Sequence, residues 1–307
     1  MTLTELRYIV AVAREKHFGR AAEACFVSQP TLSVAVKKLE DELDVKLFER
    51  GSSEITVTPL GEEIVRQAQA VLEQAHSIKE IAKRGKDPLA GPLRLGVIYT
   101  IGPYLLPELV RNAIDQVPQM PLMLQENFTA RLLEMLRAGE LDCAILAEPF
   151  TDAGLAMAPL YEEPFVVALP RTHPLAQREQ ISAEELKQET MLLLGTGHCF
   201  RDHVLEVCPE YARFSSNAEG IRKSFEGSSL ETIKHMVASG MGVTVVPQLS
   251  VPAEPNPHLV YVPFEEPVPS RRVVLAWRRS FTRYEAIAAL RNAIYACQLQ
   301  GVKRLTE

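Results

Sequence analysis

Phe18-Gly-Arg-Ala-Ala-Glu-Ala-Cys25, then Phe26-Val27, then Ser28-Gln-Pro-Thr-Leu-Ser-Val-Ala-Val-Lys-Lys-Leu39: two helical segments lie this close together near the start of a 307-residue chain. The paired alanines of the first permit close packing. Ser28 is a good cap for the second, and Pro30 falls in its first turn, where a missing N–H costs nothing. Upstream, Leu3 to Arg14 places Leu3, Leu6, Ile9, Val10 and Ala13 on one helical face. Two helices joined by a tight turn, the second polar at its start and basic at its end, describe a helix-turn-helix. In that motif the N-terminal part of the second helix enters the DNA major groove. Gln29, Thr31 and Ser33 can then reach base edges, while Lys37, Lys38 and Arg20 are placed for phosphates. No acidic residue occurs from Phe26 to Leu39. Leu47-Phe-Glu-Arg50, a polar turn and Ile55-Thr-Val-Thr58 read as a hairpin wing, with Arg50 near the minor groove or the backbone. Pattern alone is also met by three packed helices with a solvated face.

Working outward, one long helix is expected from Pro59 to about Lys83. Ile64, Ala68, Val71, Ala75, Ile78 and Ala82 alternate spacings of four and three, a heptad seam that needs a partner. Dimerisation through residues 59–84 follows. Arg84-Gly-Lys-Asp-Pro-Leu-Ala-Gly-Pro92 breaks the helix and serves as a linker. The expected domains are 1–58, 59–87 and 88–307.

Composition bounds the rest. With 47% hydrophobic and 23% charged residues the chain reads as a soluble globular protein. No basic segment precedes an apolar run at the N-terminus, and no stretch approaches 18 apolar residues, so a cytoplasmic protein without membrane contact is expected. A net charge of -6 argues against nonspecific coating of nucleic acid. Five cysteines make no structural disulfide framework in such a chain; any disulfide would be transient and regulatory.

The second half alternates strands and helices. Leu93 to Tyr99, Leu122 to Glu126 and Asp142 to Ala147 read as strands, with helices between them, which predicts a mainly parallel α/β sheet. Thr100 and Thr129 lie just past strand carboxyl ends, where such sheets bind ligands, although a threonine there also serves simply as a helix cap. Glu162 to Pro170 and Pro263 to Pro269 look like crossings into and out of a second α/β lobe, with a cleft between the two. Lobe I takes 92–162 plus 268–307 and lobe II takes 163–267. Met191 to Leu194 and Val243 to Val246 are strands, Ser228-Ser-Leu-Glu231 is a capping box opening a helix that ends at Gly240, and Tyr284 to Leu299 is the last helix.

Lobe II contains Gly195-Thr-Gly-His-Cys-Phe-Arg-Asp-His-Val-Leu-Glu-Val-Cys-Pro209. Cys199 to Val207 reads as a short amphipathic helix with Phe200, Val204 and Val207 on one face, stopped by Pro209. Cys199 and Cys208 are then roughly 13 Å apart along the axis. A disulfide tolerates at most about 7 Å between Cα atoms, so bond and helix exclude each other. Cys199, in the first turn beside His198 and near Arg201, is the more easily ionised thiol; Cys208, at the helix's negative end, is its resolving partner. Two other readings stay open: buried cysteines acting as small hydrophobes, and His198, Cys199, His203 and Cys208 as soft metal ligands, although that spacing fits no common zinc motif.

The stretches Phe18-Gly-Arg-Ala-Ala, Val27-Ser-Gln-Pro-Thr-Leu-Ser, Lys38-Leu-Glu and Leu47-Phe-Glu-Arg resemble, in order and spacing, the winged helix-turn-helix of the LysR-type transcriptional regulators. The two lobes suit that family's periplasmic-binding-protein-like effector domain. Gly197-His-Cys-Phe-Arg-Asp202 with Cys208, Ser229-Leu-Glu-Thr-Ile-Lys-His-Met-Val-Ala-Ser-Gly240 and Tyr99-Thr-Ile-Gly-Pro-Tyr-Leu-Leu-Pro107 resemble the family's peroxide-sensing members. The resemblance implies that hydrogen peroxide oxidises Cys199 to a sulfenic acid, which Cys208 captures as a disulfide. It further implies a peroxide pocket of Thr100, Thr129, His198 and Asp202, with Arg272, or its neighbour Arg271 in its place, helping to hold the reduced form. It implies double-stranded DNA and RNA polymerase as partners, a homotetramer of two coiled-coil dimers, action as an activator, and no cofactor, no metal and no enzymatic turnover. The rival expectations are a family member whose cleft binds a small metabolite and a thiol peroxidase.

Overall fold

The computed structural model describes residues 1–50, 55–84, 87–213, 224–227 and 229–305. Three helices open the chain: α1 (Leu3–Glu15), α2 (Phe18–Ala24) and α3 (Gln29–Leu43). Ser28 caps α3 as expected, its hydroxyl accepting from the Thr31 N–H. Ile9, Val12, Ala21, Ala22, Leu32, Val36 and Leu39 fill the core between them. The wing is an antiparallel pair, β1 (Phe48–Arg50) and β2 (Ile55–Val57). The turn at 51–54 and the Arg50 side chain lie outside the described residues.

The linker helix α4 (Pro59–Arg84) divides its expected seam between two uses. Ile64 and Ala68 pack into the core of the helix-turn-helix, whereas Val71 and Ile78 stay exposed. The helix also leans on the chain's own lobe I. Glu73 pairs with the buried guanidinium of Arg278 and accepts from the Ser280 hydroxyl, and the Gln74 amide donates to the Ser280 carbonyl at 2.7 Å.

Lobe I is built from β3 (Leu93–Ile98), α5 (Gly102–Gln116), β4 (Leu122–Asn127), α6 (Thr129–Arg137) and β5 (Cys143–Ala147). Here β4, β3 and β5 are parallel, as the alternation predicts. The sheet as a whole is mixed, not mainly parallel. Two long strands, β6 (Leu155–Pro170) and β11 (Ser270–Arg278), carry the chain out and back, and a strand that returns beside its outgoing partner must run antiparallel to it. Leu155, Leu160 and Tyr161 of β6 belong to the core of lobe I, and Phe165 to Leu169 to the core of lobe II.

Lobe II holds α7 (Ala183–Leu186), β7 (Met191–Leu194), α8 (Cys199–Val207), β8 (Ser224–Gly227), α9 (Leu230–Ala238), β9 (Thr244–Pro247) and β10 (Leu259–Pro263). β9 and β10 pair antiparallel with β6, and β7 pairs parallel with β8. The cap of α9 lies one residue later than expected, and no capping box closes it. Ser229 is the N-cap, and Glu231 turns away from it, accepting from the Tyr104 hydroxyl and from Lys234; Ser228 lies outside the described residues. The last helix, α10 (Tyr284–Tyr295), stops short of Leu299, and β12 (Lys303–Arg304) adds to β6. Among the described residues no helix is long and apolar enough to cross a membrane.

Candidate redox site

Where the two lobes meet, Ile98, Tyr99, Thr100, Asn127, Phe128, Thr129, Gly197, His198 and Cys199 line one small cleft. Three chain segments supply it: the end of β3, the turn from β4 into α6, and the turn from β7 into α8. Thr129 and Cys199 are each the first residue of a helix, so two positive helix ends converge on the cleft. Tyr99, Phe128 and His198 wall it with ring contacts at 4.8–5.8 Å. Gly197 adopts φ +98°, and a Cβ there would press on the Phe128 ring at 3.3 Å, so glycine permits both the turn and the close approach.

The predicted threonines both reach the cleft. Thr129 Oγ1 is buried with no hydrogen-bond partner in the protein, a state that calls for a ligand or water. Thr100 is buried; its hydroxyl accepts from Arg271 Nη1 at 2.7 Å and its carbonyl from Nη2 at 3.0 Å. The same guanidinium donates through Nε to Glu163 at 2.8 Å, both side chains being fully buried, and lies 5.1 Å from the Phe200 ring. Of the two candidate arginines, Arg271 is therefore the one behind the cleft. Arg272 points outward and pairs with Glu162 at 2.7 Å, because neighbouring residues of a strand face opposite sides. Asp202 is also displaced from the predicted pocket. It is exposed in the first turn of α8 and is not among the residues that line the cleft.

The expected helix at Cys199–Val207 is present with those bounds. Cys199 is half-buried against the core of lobe I; Cys208, the C-cap, is fully buried in the core of lobe II. Burial, reinforced by the charge of Glu210, pushes the Cys208 thiol up to about 12. Cys143 and Cys297 are buried in the core of lobe I, and burial raises both thiols. Arg201, expected beside Cys199, is buried with its guanidinium on the Leu194 carbonyl at 2.8 Å.

His203, considered only as a metal ligand from the sequence, ties the lobes together. Its Nε2 donates to the Glu148 carbonyl of lobe I at 2.7 Å, and its ring packs near Phe165 and Phe200. Burial lowers its pKa, assisted by the charge of Arg271. With His203 engaged there and Cys208 inside the core, His198, Cys199, His203 and Cys208 do not converge on one point. Among the described residues no group of three His, Cys, Asp or Glu could hold a metal ion. A second tie joins α5 to α9, where the Tyr104 hydroxyl donates to Glu231 at 2.6 Å and Lys234 bonds both Glu231 and the Ser250 carbonyl.

On the helix-turn-helix, Arg20, Ser28, Gln29, Pro30, Thr31 and Lys37 are exposed and Ser33 is half-buried. Lys38 is exposed but leans on Glu5 at 3.3 Å. The Thr31 hydroxyl is 2.8 Å from that of Ser28.

Residues 3–62 match the model of the bacterial regulatory helix-turn-helix protein, lysR family, and residues 86–296 that of the LysR substrate binding domain. The DNA-binding transcriptional dual regulator OxyR of Escherichia coli is 40% identical over 292 residues, covering 94% of each chain. A full-length OxyR mutant from Pseudomonas aeruginosa is 51% identical, with a TM-score of 0.77 over 100% of this chain and 98% of that one. A mutant OxyR of Corynebacterium glutamicum in its H2O2-bound form is 34% identical, with a TM-score of 0.62 over 95% and 91%. A helix-turn-helix, a two-lobed α/β domain and likeness along almost the whole chain lead to one conclusion: this protein belongs to the LysR family of DNA-binding transcription regulators.

Proposed function

We propose that this chain is a hydrogen-peroxide-responsive transcription activator, switched by a reversible disulfide between Cys199 and Cys208. One observation carries the reading: the two sulfurs stand at opposite ends of α8, one in a cleft with an unpartnered threonine hydroxyl, the other in a closed core. In the first step the Cys199 thiolate attacks one peroxide oxygen. The O–O bond breaks, Cys199 becomes a sulfenic acid and hydroxide leaves, taking a proton to become water. In the second, Cys208 gives up its proton and its thiolate attacks the sulfenic sulfur; the S–S bond forms as the S–O bond breaks, and the departing hydroxide takes up a proton to become a second water. Thr129 and Thr100 are placed to bind the peroxide, with His198 walling the site and Arg271 orienting Thr100. Arg272 and Asp202 lie outside that pocket.

A helix of this length holds its ends roughly 13 Å apart, so the second step requires α8 to unwind. Unwinding removes Phe200, His203 and Val204 from the lobe II core and breaks the tie to Glu148. The chain is then a cytoplasmic regulator rather than an enzyme, dimerised through the exposed Val71 and Ile78 side of α4. Two such dimers form a tetramer on paired half-sites and touch RNA polymerase.

The test is a DNA footprint of reduced and peroxide-treated protein on a fragment selected from a random pool. The footprint changes in the wild type and stays fixed in Cys199→Ser. An identical shift in both proteins contradicts the reading, as does sedimentation as a monomer in both redox states for the oligomer.

A further inference from the structure

The turn between α2 and α3 is closed by an unusual residue. The Phe26 N–H donates to the Glu23 carbonyl and the Val27 N–H to the Ala22 carbonyl, each at 3.0 Å. These paired bonds are a Schellman termination, whose left-handed position is normally glycine or, less often, asparagine. Phe26 occupies it with φ +57°. A bulky side chain there crowds its Cβ against the backbone, so the position is strained for phenylalanine.

Among the described residues no packing of the Phe26 ring offsets that strain. The residue is 95% exposed, more than any other large apolar side chain among the described residues. Its position accounts for it better than its packing does. Phe26 lies two residues before the cap Ser28 and the first turn of α3, where Ser28, Gln29, Pro30 and Thr31 are all exposed. One turn further on, Val34 is 68% exposed. The helix that enters the major groove thus begins beside a free aromatic ring, in a stretch with no acidic residue to repel phosphate.

We infer that Phe26 is a DNA-contacting residue, its ring packing on the deoxyribose or thymine-methyl surface at the edge of the groove that α3 enters. Such a contact is apolar and neutralises no phosphate. It adds affinity without adding to the salt dependence of binding.

The test compares full-length, thiol-reduced wild type with Phe26→Asn and Phe26→Leu on one selected DNA fragment across a salt series, with thermal unfolding of each. Asparagine suits the left-handed backbone, so Phe26→Asn leaves Tm unchanged or raised by a few degrees. Its affinity falls roughly tenfold, while the slope of log affinity against log salt keeps its wild-type value. Leucine retains most of the affinity. Wild-type affinity in Phe26→Asn overturns the inference, and so does a slope reduced by about one, the mark of a lost phosphate contact. A lowered Tm in Phe26→Asn would make the ring structural. Equal losses in the leucine and asparagine variants would exclude an apolar contact. Unchanged DNA affinity with lost transcription by added RNA polymerase would assign the ring to a protein partner instead.

Discussion

At the start of α8, Cys199 faces a cleft where two helix N-termini and an unpartnered threonine hydroxyl converge; at its end, Cys208 is sealed among the apolar side chains of lobe II. The residue type is the same, and the surroundings assign opposite tasks. A thiol needs access and positive potential to be oxidised first, whereas one pushed up to about 12 by burial stays protonated and unreactive until something exposes it. Holding the second sulfur in a core makes its release depend on unfolding the helix between them. The contrast teaches that the sensor's selectivity comes from packing as much as from sulfur chemistry.

The largest effect expected from breaking this contrast is chemical. Cys199→Ser abolishes rapid oxidation of α8, whereas Cys208→Ser still forms a sulfenic acid at Cys199, trapped by a dimedone-type reagent, without closing the intramolecular bond. Equal trapping at Cys208 in the Cys199→Ser protein would dissolve the distinction.

Next in size is the arginine behind the cleft. Removing Arg271 leaves the Glu163 carboxylate buried and uncompensated, a loss of about 3–5 kcal/mol. Arg272→Ala removes only a solvent-exposed pair and leaves stability nearly unchanged. Urea unfolding of the two alanine variants separates them, and equal losses would mean that the strand faces have been misplaced.

A smaller effect follows at the cleft's far wall. Thr129→Val deletes a hydroxyl with no partner in the protein, so stability holds or rises slightly. Oxidation of Cys199 slows on the order of tenfold, the value of one hydrogen bond to a charged group. Stopped-flow peroxide kinetics and thermal unfolding check both halves of this expectation.

The mildest effect concerns the tie between lobes. Burial favours the neutral His203 ring, so below about pH 6.5, the ordinary imidazole value, the unfolded chain takes up a proton that the folded one resists. This contribution to stability is present above pH 6.5 and is lost as pH falls through the lowered folded value. Arg271, facing the ring, adds to the resistance, and Glu206 and Asp202 on α8 partly offset it. His203→Gln flattens the pH dependence measured by urea unfolding; an unchanged slope would show that another group carries it.

Much of this was legible in the sequence, for reasons that differ by element. The helix-turn-helix could be read because its signals are local: Ser28 caps, Pro30 marks a first turn, and the apolar spacing is helical. The bounds of α8 followed from the glycines before it and Pro209 after it. The choice between Arg271 and Arg272 stayed open in the sequence because Val273 and Val274 behind them are both apolar and both buried, across a register shift in β11, so strand alternation could not decide. His203 and Tyr104 were missed because their partners, the Glu148 carbonyl and Glu231, are distant in sequence and belong to the other lobe. The strands β8 and β12 are short, and their places come from pairing with β7 and β6.

The most direct test of the central claim is disulfide mapping by mass spectrometry after a brief, low dose of hydrogen peroxide, following all five cysteines over time. A rapid Cys199–Cys208 bond, with Cys25, Cys143 and Cys297 still reduced, is the predicted result. Cys199 remaining reduced at doses that oxidise a free thiol, or bonds scattered among the five, would contradict the account.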